Sequence, residues 1–227
     1  MTVLSLLFSL NQFNLSSYFP IKTVRVYGVN RIDREEIKNL LLPLVSRGFF
    51  TVDVAHIKDQ LSQIPWVADI FVKRYWPDQV EVTIIEKNAV ARWNDTSLLS
   101  ATGEIFSPQA MSSSDKLPKM IGPLGKQIMM LKVLNDINRL LVPIQVNIAI
   151  LELGPYSTWK AVLDNGIVLQ IGHKEILTRL YHFVKVYPKM IGMHAKDVEY
   201  VDLRYPNGVA VQWKKTMKLS SIKLSSK

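Results

Sequence analysis

The sequence contains no cysteine and only four histidines. The absence of cysteine excludes disulfide frameworks, thiol catalysis and cysteine-ligated zinc sites. His56, His173, His182 and His194 include no pair at the i, i+4 spacing of a helical zinc site, and no HExxH motif occurs. No serine lies in a GxSxG elbow. The sequence therefore predicts a protein that is not an enzyme and that binds no metal, cofactor or small-molecule substrate.

Negative charge is missing from the C-terminal end of the chain. Residues 214–227 hold five lysines and no acidic residue, so five of the nine excess positive charges lie there. We predict that residues 215–227 form a disordered Lys/Ser tail, the alternative being an anion-binding arm. The rest of the chain is only mildly basic and its aromatic residues follow no basic stripe, which argues against a nucleic-acid partner.

Charge of either sign is missing from residues 1–21. Residues 3–10 are almost wholly apolar, but a membrane-spanning helix needs about 20 mostly apolar residues. The preferred interpretation is that residues 1–20 are the outer half of a transmembrane helix. The alternative is a short apolar arm docked on the folded part.

Residues 21–87 predict elements in the order β-α-α-β-β. Asp33 and Asp53 are placed to cap the starts of the two helices, and the first is expected to stop near Pro43. We expect the strands to form one sheet with both helices on one face. The predicted strands are residues 23–27, 67–75 and 79–86.

Residues 88–214 predict a second domain, with a mixed or antiparallel sheet and two helices. Apolar spacing places the helices at 125–141, with Ile128 on the buried face, and at 174–187, where Pro188 closes the second. Asp164-Asn165-Gly166 is a strong hairpin turn. The fold class is therefore α+β. The predicted strands are residues 89–94, 98–100, 104–106, 145–151, 158–163, 167–171, 200–205 and 209–214.

Two segments carry a family resemblance. Residues 64–95, IPWVADIFVKRYWPDQVEVTIIEKNAVARWND, resemble the FtsQ family of bacterial cell-division proteins. Residues 200–213, YVDLRYPNGVAVQW, are similar to that family's last strands. The β-α-α-β-β order resembles a POTRA domain, a module of envelope proteins that binds other polypeptides. The likeness covers about residues 20–213.

The resemblance implies a division scaffold that spans the inner membrane once. Its POTRA domain, residues 21–87, and its FtsQ-type β domain, residues 88–214, would lie in the periplasm at the division site. The implied partners are FtsB and FtsL, and the complex links early and late division proteins. Residues 154–158 lack the arginines expected there, so a salt bridge from that spot to an acidic partner is not supported.

The resemblance also places a partner-binding site at the C-terminal strands. We expect the last strand to be a sheet edge to which an FtsB segment adds as one more strand. Tyr205 and Trp213 are expected to flank the turn as aromatic contacts, whereas without the resemblance they would complete the core. Asn207 stands where a serine is expected. The predicted partner-binding residues are Arg204, Tyr205, Asn207, Gly208, Val211 and Trp213.

Two further expectations concern the first domain. A face around the second helix, residues 53–63, is expected to bind an upstream division protein. A rival interpretation is a POTRA-containing secretion or outer-membrane assembly protein. Such proteins usually continue into a β-barrel, and no series of about 10-residue barrel strands follows here.

Overall fold

The computed structural model describes residues 19–108, 116–205 and 208–214. The described residues divide into two compact units, 19–88 with 106–108 and 89–105 with 116–205 and 208–214. The predicted membrane segment lies outside the described residues except for Phe19 and Pro20, and the predicted tail at 215–227 lies outside them entirely. Within the described part of the chain, no helix is both long enough and apolar enough to cross a membrane.

The first unit has the predicted β-α-α-β-β order and a single three-stranded sheet. Strand β1 pairs parallel with β3, and β2 pairs antiparallel with β3, which gives the order β1-β3-β2. Val80, Val82 and Ile84 are buried on one face of β3, while Phe71 on the opposite face is half exposed. The elements are β1 (Thr23–Tyr27), α1 (Arg34–Val45), α2 (Val54–Ser62), β2 (Val67–Tyr75) and β3 (Gln79–Glu86).

Both predicted helix caps in the first unit are confirmed. The Asp33 carboxylate accepts a hydrogen bond from the backbone N–H of Glu35 at 3.0 Å, and Asp53 accepts one from His56 at 3.0 Å. Each bond satisfies an N–H group that the first turn of a helix leaves without an intrahelical partner.

The first helix stops near Pro43 as predicted, but the predicted end of the last helix at Pro188 is wrong. Helix α1 continues past Pro43 to Val45, and the fourth helix continues past Pro188 to Met190. A proline near a helix end removes only one backbone hydrogen bond. Burial of Val45 stabilises the last turn of α1, and in the other helix buried Ile191 donates its N–H to the Tyr187 carbonyl at 2.9 Å.

The second unit is built on a mixed nine-stranded sheet with the order β12-β11-β10-β9-β8-β7-β4-β5-β6. The β10–β11, β7–β8 and β4–β7 pairs are parallel, and the β8–β9, β9–β10 and β11–β12 pairs are antiparallel. The α+β class with two helices is thus confirmed. The elements are β4 (Ala89–Trp93), β5 (Ser97–Ser100), β6 (Ile105–Phe106), β7 (Lys119–Ile121), α3 (Gln127–Leu141), β8 (Ile148–Leu153), β9 (Trp159–Leu163), β10 (Val168–Gly172), α4 (Ile176–Met190), β11 (Val198–Asp202) and β12 (Ala210–Trp213).

Several details of this unit differ from the predictions, among them β11, which covers Val198–Asp202 rather than residues 200–205. Strand β7, three residues long, was not predicted. Ile128 is 71% exposed in the first turn of α3, and Met130 is buried there instead. Strand β8 begins at Ile148 rather than at residue 145, because a 3₁₀ turn at Val142–Ile144 prolongs α3 and Gln145 has a left-handed backbone.

Helix α4 covers the part of the sheet that leads to its C-terminal edge. Leu180 and Phe183 of α4 are fully buried. Leu169 of β10 and Val201 of β11 are paired in register and are also fully buried. Strand β11, which lies next to the edge strand β12, therefore packs against the buried core.

Candidate partner-binding edge

Strand β12 ends the strand order of the larger sheet. It pairs antiparallel with β11, so one side of its backbone has no strand neighbour within the described residues. An edge strand presents unpaired N–H and C=O groups to which another extended segment can add. The pairs are Val198 with Trp213, Tyr200 with Gln212, Val201 with Val211, and Asp202 with Ala210.

Val211 attaches β12 to the core. It lies opposite fully buried Val201, and it packs with Val209 against the hydrophobic cluster of the second unit. Its side chain is half-buried. Val211 thus anchors β12 to the core through its side chain. The backbone groups on the outer side of β12 stay open.

Trp213 lies at the end of β12 and is 45% exposed. Its ring meets His194 edge-on, with ring centroids 6.3 Å apart. The next residue, Lys214, is fixed by a hydrogen bond: its backbone N–H donates to the Asp197 carbonyl at 2.7 Å. The backbone next to Trp213 is therefore fixed, while its ring is about half exposed and can contact another molecule.

Tyr205 is 58% exposed, more than Trp213. A tyrosine or tryptophan that completes a core is normally largely buried, with its polar atom hydrogen-bonded. The alternative that Tyr205 and Trp213 simply complete the core is therefore wrong.

The two aromatic residues lie at opposite ends of the edge. Tyr205 follows β11 next to the turn, whereas Trp213 pairs with Val198 at the far end of β12. The expectation that both flank the turn is wrong for Trp213. Gly208 is exposed, and a Cβ added there would meet nothing within 4 Å. Asn207 lies outside the described residues.

The carboxylate of Asp202, a residue outside the predicted site, holds Arg204 in place. Its Nη2 donates to Asp202 Oδ2 at 2.6 Å, its Nε donates to Oδ1 at 2.9 Å, and its backbone N–H also donates to Oδ1 at 2.9 Å. Asp202 is buried, while the Arg204 side chain is 65% exposed. The Arg204 hydrogen bond lowers the pKa of the Asp202 carboxyl from its ordinary value of 3.8.

This pair fixes the direction of Arg204. A bidentate arginine–carboxylate contact combines charge with a set geometry. The guanidinium is thereby presented at the turn end of the edge, beside Tyr205. An Asp-x-Arg spacing at the end of a strand was the available signal, because residues i and i+2 share a face.

No group of three or more histidine, cysteine or acidic side chains that could hold a metal ion occurs within residues 19–108, 116–205 and 208–214. What the arrangement offers is an open strand edge with aromatic side chains at its ends and a fixed cation.

Comparison with known families identifies both units. Residues 19–87 match the POTRA domain, FtsQ-type. Residues 91–204 match the C-terminal domain of cell division protein FtsQ/DivIB. The chain belongs to the FtsQ family of cell-division proteins. The recognised FtsQ/DivIB region ends at Arg204, so most of the candidate edge lies just beyond it.

Curated FtsQ relatives align over most of this chain. Cell division protein FtsQ of Coxiella burnetii is 32% identical over 196 residues, which cover 86% of this chain and 81% of the relative. FtsQ of Shewanella oneidensis is 33% identical and covers 88% of this chain and 76% of the relative. FtsQ of Escherichia coli is 32% identical, with 86% and 73% covered.

Proposed function

We propose that this chain is a non-enzymatic scaffold of the division machinery, which recruits and links FtsB and FtsL at the inner membrane during septation. Membership of the FtsQ family supports a role in division over the rival role in secretion or outer-membrane assembly. The observation that carries the proposal is the open edge of β12, with exposed Tyr205 and half-exposed Trp213 at its two ends.

An FtsB segment binds in this proposal as a further strand on β12. Backbone hydrogen bonds to the edge supply a sequence-independent part of the affinity, and side chains beside the edge supply specificity. Tyrosine and tryptophan are enriched among residues that dominate binding energy. Arg204, fixed by Asp202, adds a positive group for an acidic residue of the partner.

The test is FtsB binding by two alanine variants. We expect Tyr205→Ala and Trp213→Ala each to weaken binding by about 2 kcal/mol or more, with little change in melting temperature because neither ring is buried in the core. Tyr75→Ala and Trp76→Ala remove a 46% and a 71% exposed ring of the same residue types from the first unit and serve as controls. Binding can be measured by titration calorimetry.

Two results would contradict the edge assignment. One is normal FtsB binding by both variants. The other is unfolding of both variants, which would show that the two rings stabilise the fold. Loss of binding in the control variants would point to an unspecific surface effect and would also count against the assignment.

The proposal includes a single membrane span formed through residues 1–20, with the two folded units on the periplasmic side. Its support is the charge-free, partly apolar N-terminal sequence and the family's known division role. A topology reporter fused after residue 214 is expected to report the periplasm. A cytoplasmic signal would refute this part.

The proposal also places an upstream division protein on the face of α2 around residues 53–63. Ile57 and Leu61 of this helix are buried, whereas His56, Lys58 and Asp59 are exposed. The exposed side is therefore polar, and a partner there would be recognised by charge and hydrogen bonds. We expect Lys58→Glu to weaken recruitment of such a protein; unchanged recruitment would argue against this face.

A further inference from the structure

Two methionines protrude from the second unit just before β11 begins. Met190 is the last residue of α4 and is 58% exposed, and Met193 lies in the 3₁₀ segment Gly192–Asp197 and is 92% exposed. Between them, Ile191 is fully buried and donates its backbone N–H to the Tyr187 carbonyl at 2.9 Å. The segment is therefore attached to the core, while both methionines remain in contact with solvent.

Lysines surround the two methionines. Lys189 precedes them in α4 and Lys196 follows them in the 3₁₀ segment, and both are exposed. The end of β12 lies at the same place. Lys214 donates its backbone N–H to the Asp197 carbonyl and its Nζ to the Lys196 carbonyl, both at 2.7 Å. Three lysines from separate parts of the chain thus lie around one short segment.

The acidic residues beside these lysines already have partners. Asp197 Oδ2 lies 3.9 Å from His194 Nδ1, and Glu199 Oε2 accepts a hydrogen bond from Gln212 Nε2 at 2.9 Å. Against these two acids, residues 185–199 together with residue 214 contain four lysines. The surface around the methionines therefore combines a positive balance of charge with protruding apolar groups.

The sequence that follows β12 has the same composition. Residues 215–227 contain four lysines, four leucine, isoleucine or methionine residues, and no acid. They continue directly from Lys214, whose backbone is fixed beside Asp197. Clusters of lysines with interspersed apolar residues are typical of segments that bind anionic lipid surfaces.

The form of this surface favours a lipid membrane over a protein partner. An apolar side chain that protrudes almost completely needs a matching pocket on a protein, whereas the boundary between lipid headgroups and acyl chains accepts one at any position. Lysine is a flexible point charge that pairs with phosphate without the fixed fork geometry of arginine. Anionic phospholipids supply both the phosphate groups and the apolar layer.

We infer that the surface around Met190 and Met193 binds a membrane that contains anionic phospholipid. The two methionines enter the boundary between headgroups and acyl chains, and Lys189, Lys196 and the lysines from residue 214 onward pair with lipid phosphates. This contact does not use the outer backbone of β12 and requires no FtsB, so its test is independent of the proposed function.

The test makes use of the absence of cysteine from the chain. Met193→Cys gives the full chain a single thiol, to which an apolar, environment-sensitive fluorophore is attached in place of the methionine side chain. Vesicles of phosphatidylcholine, alone or mixed with phosphatidylglycerol, contain a nitroxide-labelled lipid that quenches the fluorophore on contact. Because quenching reports the surroundings of residue 193, attachment of vesicles through residues 1–20 does not produce the signal.

We expect the mixed, anionic vesicles to quench the fluorophore at residue 193. Quenching by phosphatidylcholine vesicles is expected to be weaker by about fivefold or more, since they lack the net charge that attracts lysines. Quenching by the anionic vesicles is expected to disappear in about 1 M salt, where charges are screened within about 3 Å.

Leu124→Cys provides a control position for the fluorophore. Leu124 is 78% exposed. Strands β7 and β11 run in the same direction through the sheet, and Leu124 follows β7 whereas Met193 precedes β11. The two positions thus lie at opposite ends of the strands, and we expect no quenching at residue 124.

Further variants of the Met193→Cys chain separate charge from apolar contact. Lys189→Gln and Lys196→Gln are each expected to lower the ratio of bound to free fluorophore about fivefold. Met190→Glu is expected to abolish quenching. Leu42→Glu places the same charge at a 56% exposed residue of the first unit and is expected to leave quenching unchanged.

Several outcomes would overturn the inference. They are absence of quenching at residue 193 with anionic vesicles, equal quenching by phosphatidylcholine vesicles, equal quenching at residue 124, and unchanged quenching after Met190→Glu or the lysine substitutions. A fluorophore that responds to polyglutamate but not to anionic vesicles would identify an acidic polypeptide as the partner, which also contradicts the inference.

Discussion

The two edge strands of this protein, β1 in the first unit and β12 in the second, differ in what they offer a partner. Both are short, with five and four residues. Beside β1 lies a groove of ≈ 580 Å³, whereas the crevice beside Tyr205 and Gly208 measures only ≈ 30 Å³. The β1 edge therefore has space for the side chains of an added strand. The β12 edge has little such space, but its own aromatic side chains can pack against an added strand.

A carboxylate that accepts several hydrogen bonds lies after β1 and another lies at the end of β11, the strand that pairs with the β12 edge. After β1, Glu86 Oε1 accepts the backbone N–H groups of Asn30, Arg31 and Ile32 at 2.8, 2.8 and 3.1 Å. At the end of β11, the strand that pairs with β12, Asp202 accepts three hydrogen bonds of at most 2.9 Å from Arg204.

The comparison shows that hydrogen bonds hold the segment after β1 and the segment after β11, the strand that pairs with β12. Ordering loose backbone on binding costs free energy, so a preformed edge retains more of its interaction energy as affinity. The end of β1 depends on the Glu86 hydrogen bonds and on the left-handed backbone of Gly28, and the end of β11 depends on the Asp202–Arg204 pair. The two ends can therefore be disturbed separately.

Gly28→Ala is expected to have the largest effect on the β1 edge. Gly28 has φ +82°, and an added Cβ would lie 1.9 Å from the Ile84 carbonyl oxygen. The backbone would have to move where β1 ends. We expect the first unit to lose about 3 kcal/mol of stability, measured by hydrogen exchange of the β3 amides.

Gly166→Ala provides the matched control in the second unit. Gly166 has φ +88°, but an added Cβ would meet nothing within 4 Å. Only the left-handed backbone is then penalised, at about 1 kcal/mol. Equal losses for the two substitutions would show that contact with Ile84 does not determine the end of β1.

Asp202→Asn is expected to have a smaller effect, at the end of β11. It keeps the shape of the side chain but removes the charge that Arg204 contacts, and we expect a loss of about 1 kcal/mol at neutral pH. Because Arg204 is mostly exposed, solvent weakens the pair.

The pH dependence of this loss identifies its source. The pKa of Asp202 is lowered in the folded state, so its contribution is present above the ordinary value of 3.8 and is lost as the pH falls below it. Urea unfolding at neutral pH and below pH 3.8 is expected to show that the difference between wild type and Asp202→Asn shrinks in acid. A difference that is the same at both pH values would exclude the charged pair as its cause.

The sequence predicted most elements because local signals and tertiary structure agree in them. Asp33 and Asp53 cap their helices, and Asp164-Asn165-Gly166 connects β9 to β10. Strand β7 could not be predicted, since three residues carry no period and its stability comes from parallel pairing with β4 and β8. Ile128 fits the helical spacing, but it lies in a first turn that the core does not reach.

The candidate site was predicted in part. The resemblance supplied its residues, and the end position of the last strand made it a candidate edge. Tyr205 and Trp213 are separated because Tyr205 follows the end of β11, whereas Trp213 pairs with Val198 at the start of that strand. The pairing of Trp213 with Val198 involves a register shift between Val198 and Tyr200, which no local pattern predicts. The groove beside β1 was also hidden, because alternation shows which face Val24 and Val26 share but not how far a helix covers it.

Hydrogen–deuterium exchange of the full chain with and without FtsB tests the central claim most directly. Strand addition pairs the outward N–H groups of β12, so exchange at residues 209–214 is predicted to slow when FtsB binds and to remain fast in Trp213→Ala at the same concentrations. Slowed exchange elsewhere in the chain, with residues 209–214 unchanged at saturating FtsB, would contradict docking at this edge.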